Sequence, residues 1–77
     1  MTFDVIKEII VEQLGVDGDL VKLETNMMKD LEADSLDAVE IILSVEEKYG
    51  FEIADEDAEN FETVKDLVDY VDAHIKK

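Results

Sequence analysis

Three separate stretches of this chain carry apolar residues at three- and four-residue spacing, and no stretch carries a strand signal. From Phe3 to Leu14 the set Phe3, Ile6, Ile10 and Leu14, with Val5 and Ile9 beside it, lies on one helix face, and Gly15 is a natural stop. A second helix is expected from about Ser35 to Tyr49, ended by Gly50. In the third stretch Val64, Leu67, Val68, Val71 and Ile75 repeat in the same way, behind Thr63 and Asp66, which approximate a capping box. Residues 16–33 read as a long loop, in which Val16, Leu20, Leu23, Met27, Met28 and Leu31 are spaced to pin it to a core, with a short turn at Asp30 and Leu31. Residues 51–62 are mixed: Phe51 and Ile53 are expected to pack inward, and Asp55 to Asn60 to form one short helix. Proline is absent, and neither a repeat nor a low-complexity linker divides the chain. The pattern predicts an all-α fold of three main helices plus one short helix, with a long first loop, as one domain over residues 1–77.

Charge limits what such a bundle can meet. Seven basic residues stand against 22 acidic ones in 77, a net charge of −15. At 47% hydrophobic residues the chain is too apolar for a disordered acidic tail, so it folds against its own repulsion. Nucleic acid and anionic membrane surfaces are poor partners, whereas proteins with basic patches are good ones, met in a salt-sensitive way. Repulsion between copies favours a monomer. The absence of cysteine removes disulfides, zinc–thiolate sites and thiol catalysis, so any thiol chemistry must come from an attached group. The first ten residues show neither a basic segment followed by a long apolar run nor a membrane span, so a cytoplasmic protein, or a trimmed organellar one, is the default expectation.

The second helix is the informative one. At about 100° per residue, Ala38, Ile41, Ile42, Val45 and Tyr49 fall together as a core face. Leu36, Val39 and Leu43 form a second apolar strip, displaced from the first. Glu46 sits roughly on the seam, Glu40 and Glu47 lie on the strip's other flank, and Asp37 lies just beyond. One reading is a single broad buried arc, with Glu46 reaching past it to water. The other is a docking strip whose apolar anchors carry an acidic rim for a basic partner.

The helix begins Asp34-Ser35-Leu36-Asp37, and either Asp34 or Ser35 is able to cap it. If Ser35 caps, its hydroxyl is consumed by the backbone. If Asp34 caps, Asp37 stands three residues on, as in a capping box, and the Ser35 hydroxyl is left free. A phosphate ester on that hydroxyl would lie at the positive end of the helix dipole, though Asp34 and Asp37 would repel it.

The run Asp30-Leu31-Glu32-Ala33-Asp34-Ser35-Leu36-Asp37-Ala38-Val39-Glu40 resembles the attachment motif of acyl carrier proteins. The resemblance covers the whole chain: its length and acidity, the long first loop, Glu46-Glu47-Lys48-Tyr49-Gly50-Phe51 with Ile53, the acidic stretch Asp55 to Glu59, and Phe61-Glu62-Thr63-Val64. It implies an acyl-carrier-like bundle that carries acyl groups as thioesters on 4′-phosphopantetheine, derived from coenzyme A and linked covalently to Ser35. It implies a carrier, not an enzyme, of fatty acid biosynthesis in the first place; polyketide and aminoacyl carriers share the motif. Asp34, Leu36 and Asp37 would be read by the phosphopantetheinyl transferase. Leu36, Asp37, Val39, Glu40, Leu43, Glu46 and Glu47 would dock onto enzymes of acyl-chain synthesis and transfer that bear basic patches. Met27, Met28, Ile42, Phe51, Ile53, Phe61, Val64 and Leu67 would line an acyl pocket between helices. Two positions depart from the family pattern: Glu32 stands where Gly is usual, and Ala54 where Pro is frequent.

Three other readings compete. Calcium binding is suggested by Asp17-Gly18-Asp19 and by the acidic run from Asp55 to Glu59. An EF-hand loop needs Gly at its sixth position and Glu at its twelfth; from Asp17 these are Lys22 and Met28, and from Asp55 they are Asn60 and Asp66, so no such metal site is expected. A hydrolase would pair Ser35 with His74, the sole histidine, but no glycine-rich oxyanion turn surrounds the serine. An acidic helical interaction module without cofactor is the third.

Overall fold

The computed structural model describes residues 2–75. Its α-helices are α1 (Thr2–Leu14), α2 (Ser35–Tyr49), α3 (Asp55–Glu59) and α4 (Val64–Ile75), with one 3-10 turn at Gly18–Leu20. Glycine ends both helices where the sequence places it. Gly15 has φ +65° and Gly50 φ +74°, a left-handed conformation that lets their N–H groups donate back to Val11 and Glu46, each at 2.8 Å. The short helix stops one residue earlier than expected, with Asn60 as its cap.

α1 packs against both α2 and α4. Ile6 and Ile10 of α1, Ile41 and Val45 of α2, and Val64, Leu67 and Val71 of α4 are fully enclosed. Each set follows the predicted helical spacing, so burial of these aliphatic faces is what drives the helices together. Ile75, the last residue of the apolar repeat in α4, is 41% exposed and outside the core.

The long first loop is held only in part as expected: of the six expected pins, Met27 and Leu31 are buried. Leu20, Leu23 and Met28 are exposed, and Val16 is only half-buried. The buried pins are Val21, Met27, Leu31 and Ala33, with one polar residue, Thr25. The Thr25 hydroxyl donates to the Leu20 carbonyl at 3.0 Å and accepts from the Lys22 N–H at 2.9 Å, so a buried polar group is satisfied locally. Backbone bonds then stitch the loop to the start of α4. Met27 N–H donates to Glu62 C=O, Val64 N–H to Thr25 C=O, and Lys65 N–H to Leu23 C=O, at 2.9–3.1 Å. Asn26 and Thr63 form an isolated antiparallel bridge there, a piece of extended pairing the sequence reading did not contain. The last two bonds use the Val64 and Lys65 amides, first-turn donors of α4 that a helix cannot satisfy internally.

The expected capping box opens α4. Asp66 accepts the Thr63 N–H at 3.1 Å and also the Glu62 N–H at 3.0 Å, while the Thr63 hydroxyl accepts the Asp66 N–H at 3.3 Å. These backbone donors, Glu62 first and then Thr63, hold the Asp66 carboxyl below its ordinary pKa of 3.8. A depressed folded-state pKa means stability that is present above the unfolded pKa and lost as pH falls through the folded one. Asp66→Asn is therefore expected to be less stable than the parent at pH 7, with the difference shrinking as pH falls below about 4. Urea denaturation of both chains at pH 7 and at acid pH measures it.

Candidate functional site

Asp34, not Ser35, caps α2. Its backbone is extended, at φ −92° and ψ −178°, and its carboxylate accepts the Asp37 N–H at 2.9 Å. The Asp37 carboxylate returns the bond, accepting the Asp34 N–H at 3.4 Å. Asp34 also accepts the Ala38 N–H at 3.0 Å through its carbonyl, the first bond of the helix. Ser35 thereby becomes the first helical residue. It is exposed, and its hydroxyl has no hydrogen-bond partner among the described residues.

The approach to the serine is fixed on one side. Leu31 and Ala33 are buried, and the Ala33 N–H donates to the Met27 carbonyl at 3.1 Å. Glu32 between them is exposed and has φ +56°, the sole described non-glycine residue with positive φ. A left-handed conformation costs an L-residue roughly 1–2 kcal/mol. That is a backbone reason for Gly at this position, invisible in the charge pattern.

Beyond Ser35, α2 presents two faces. Ile41 and Val45 are enclosed; Ala38, Ile42 and Tyr49 are half-buried. Leu36, Val39 and Leu43 are 74%, 53% and 47% exposed, which excludes the single broad buried arc. Glu40 and Glu47 are exposed along the strip, and Asp37 is half-buried in the box. Glu46 behaves otherwise. It is half-buried, and its carboxylate accepts the Ile53 N–H at 2.6 Å. It ties the segment after Gly50 to α2, so it is a structural bond as well as a charge on the seam.

The eight candidates for an acyl pocket differ in exposure. Met27, Ile53, Val64 and Leu67 are buried, Ile42, Phe51 and Phe61 half-buried, and Met28 is a surface residue. Two surface cavities lie elsewhere. One, of about 540 Å³, runs between Phe3, Lys7, Gly18, Val21 and Leu23; the other, of about 410 Å³, between Thr2, Phe3, Leu23, Lys65 and Val68. Neither is lined by any of the eight.

His74 is exposed but committed. Its ring stacks on Tyr70 and Phe51 at centroid distances of 4.2 and 5.0 Å, and its Nδ1 is 2.9 Å from the Tyr70 carbonyl. Phe51 follows the C-terminal end of α2, whose 15 residues span about 22 Å, and Ser35 is at the other end. The two are too far apart to act as nucleophile and base.

A family model described as the phosphopantetheine attachment site matches residues 4–71. An acyl carrier protein of Helicobacter hepaticus is 51% identical over 73 residues, covering 95% of this chain and 96% of the relative. One from Campylobacter jejuni (strain RM1221) is 50% identical over 76 residues, covering 99% and 97%. The chain belongs to the acyl carrier protein family. Its fold agrees with that of a solution structure from Anaplasma phagocytophilum, provisionally assigned to the same family, at a TM-score of 0.88 and 33% identity, covering 97% of this chain and 89% of that one. Acyl carrier proteins are carriers, not catalysts, and their cofactor is 4′-phosphopantetheine. The residues here fit such a group: an exposed hydroxyl without an internal partner, on the first turn of a helix, where the dipole favours an anionic ester.

Replacing Glu32 by Gly removes the left-handed cost, offset in part by greater freedom of the unfolded chain. Glu32→Gly is expected to stabilise the protein by about 0.5–1 kcal/mol, read from the urea midpoint at unchanged m-value.

Proposed function

We propose that this chain is a one-domain, monomeric carrier of fatty acyl intermediates in the cytoplasm, with 4′-phosphopantetheine esterified to Ser35. The observation that carries this reading is the free Ser35 hydroxyl, released by the Asp34 cap. When bound, the group supplies a terminal thiol on which cargo is held as a thioester. The protein's part is to offer the ester oxygen, favour the phosphate with the positive end of α2, and present Asp34, Leu36 and Asp37 to the transferase. A long arm then raises the cargo's effective concentration at a docked enzyme.

Docking falls to the exposed strip Leu36, Val39 and Leu43, with Glu40 and Glu47 as its rim. Apolar anchors beside carboxylates suit an enzyme with a basic patch around an apolar centre. Acyl shelter requires helices to part, because Val64 and Leu67 are fully enclosed. Half-buried Ile42, Phe51 and Phe61 are the side chains through which such an opening would start.

Incubation with coenzyme A and a phosphopantetheinyl transferase is expected to add one arm to the chain, seen by intact mass, and Ser35→Ala to add none. Loading of the alanine variant would reassign the site. Glu40→Lys and Glu47→Lys are each expected to lower partner-enzyme turnover and flatten its salt dependence. Kinetics indifferent to both would remove the acidic rim. Acylation is expected to raise Tm progressively with chain length, as buried methylenes add stabilisation; an unchanged Tm places the cargo outside.

A further inference from the structure

Residues 30–37, around Ser35, hold four carboxylates, and three of them accept backbone N–H groups. Asp30 accepts the Asn26 N–H at 2.8 Å, Asp34 the Asp37 N–H at 2.9 Å, and Asp37 the Asp34 N–H at 3.4 Å. Glu32 differs. Its carboxylate has no hydrogen-bond or ion-pair partner among the described residues, and the side chain is exposed. Its neighbours Leu31 and Ala33 are both buried, so the backbone on either side is anchored and Glu32 is held outward. It is held there in a left-handed conformation, at φ +56°, which costs stability that a glycine would not lose. It stands three positions before Ser35, a reach of at most about 11 Å along the chain. A macromolecule that covers the Ser35 hydroxyl therefore covers Glu32 as well.

An uncommitted charge at a conformationally costly position, near an exposed hydroxyl, makes no contact among the described residues that would give it a role in the fold. Accepting it as functional, we infer that Glu32 is a specificity-determining residue for the transferase that loads Ser35, recognised through a lysine or arginine on that enzyme. The inference rests on Ser35 as the attachment residue. Asp34 and Asp37 each commit one carboxylate oxygen to the capping box, whereas Glu32 commits none and can form an ion pair at no cost to α2. Its contribution is to binding, before the phosphoryl group moves, so it belongs in KM and not in kcat. An ion pair at a wet rim is worth a small factor and is weakened by salt.

The test uses the full-length apo chain, coenzyme A and the transferase of the source organism. Glu32→Gln keeps side-chain size and removes the charge; Glu32→Asp keeps the charge. E32Q is expected to raise the transferase KM for the carrier about two- to fivefold with kcat unchanged, and to reduce its salt dependence. E32D is expected to restore KM to the parent value. Circular dichroism of each variant confirms equal helicity. Equal KM and equal salt slope for the parent and E32Q would overturn the inference while leaving Ser35 as the attachment residue. Failure of the parent chain to accept any arm would sink the Ser35 reading, and this inference with it.

Discussion

One carboxylate decides what the start of α2 can do. Four N–H groups open a helix without internal acceptors, and some residue must answer them. In Asp34-Ser35-Leu36-Asp37 two adjacent side chains are able to cap, and if the serine does so its hydroxyl is spent. Asp34 takes the Asp37 N–H at 2.9 Å, and Asp37 answers with the Asp34 N–H. The serine is thereby displaced one position into the helix, exposed and unpartnered among the described residues. The proposed attachment at Ser35, its proposed recognition by a transferase and the proposed docking strip that begins at Leu36 all depend on this allocation.

The rest of the molecule keeps that turn in place. With a net charge of −15 the chain works against its own field, and the aliphatic faces of α1, α2 and α4 supply the opposing force. A helix that served the core alone would bury every apolar residue it had. α2 instead encloses Ile41 and Val45 and leaves Leu36, Val39 and Leu43 in water. Leaving those side chains exposed forgoes stabilisation of a few kcal/mol in all, roughly 1.5–3 per fully buried leucine or valine. Such a surface is the one at which the proposed partner enzymes would dock.

Helices were legible because their signals are local and redundant: aliphatic spacing, terminal glycines, and the Thr63–Asp66 box. The two-faced character of α2 was legible from the wheel, since Leu36, Val39 and Leu43 fall off the core arc. What the sequence hid depends on long-range pairing. Leu20, Leu23 and Met28 are as hydrophobic as Val21, Met27 and Leu31, and periodicity says nothing within a loop. The loop's register is set by backbone bonds from Thr25 and Met27 to the start of α4. The helical spacing puts Glu46 on the seam of α2 but carries no sign of its bond to the Ile53 N–H, seven residues on. For Glu32 the residue type was a visible anomaly, but its cause is a backbone angle.

The allocation of the cap is open to direct measurement by amide hydrogen exchange at Asp37 in the parent chain and in Ser35→Ala. If Asp34 holds the Asp37 N–H, removing the serine hydroxyl takes away no bond, and the exchange rate at Asp37 is unchanged. If the serine were the cap, its loss would cost about 1 kcal/mol and speed exchange at α2's first turn about fivefold. Unchanged exchange is the result the structure predicts; acceleration would contradict it.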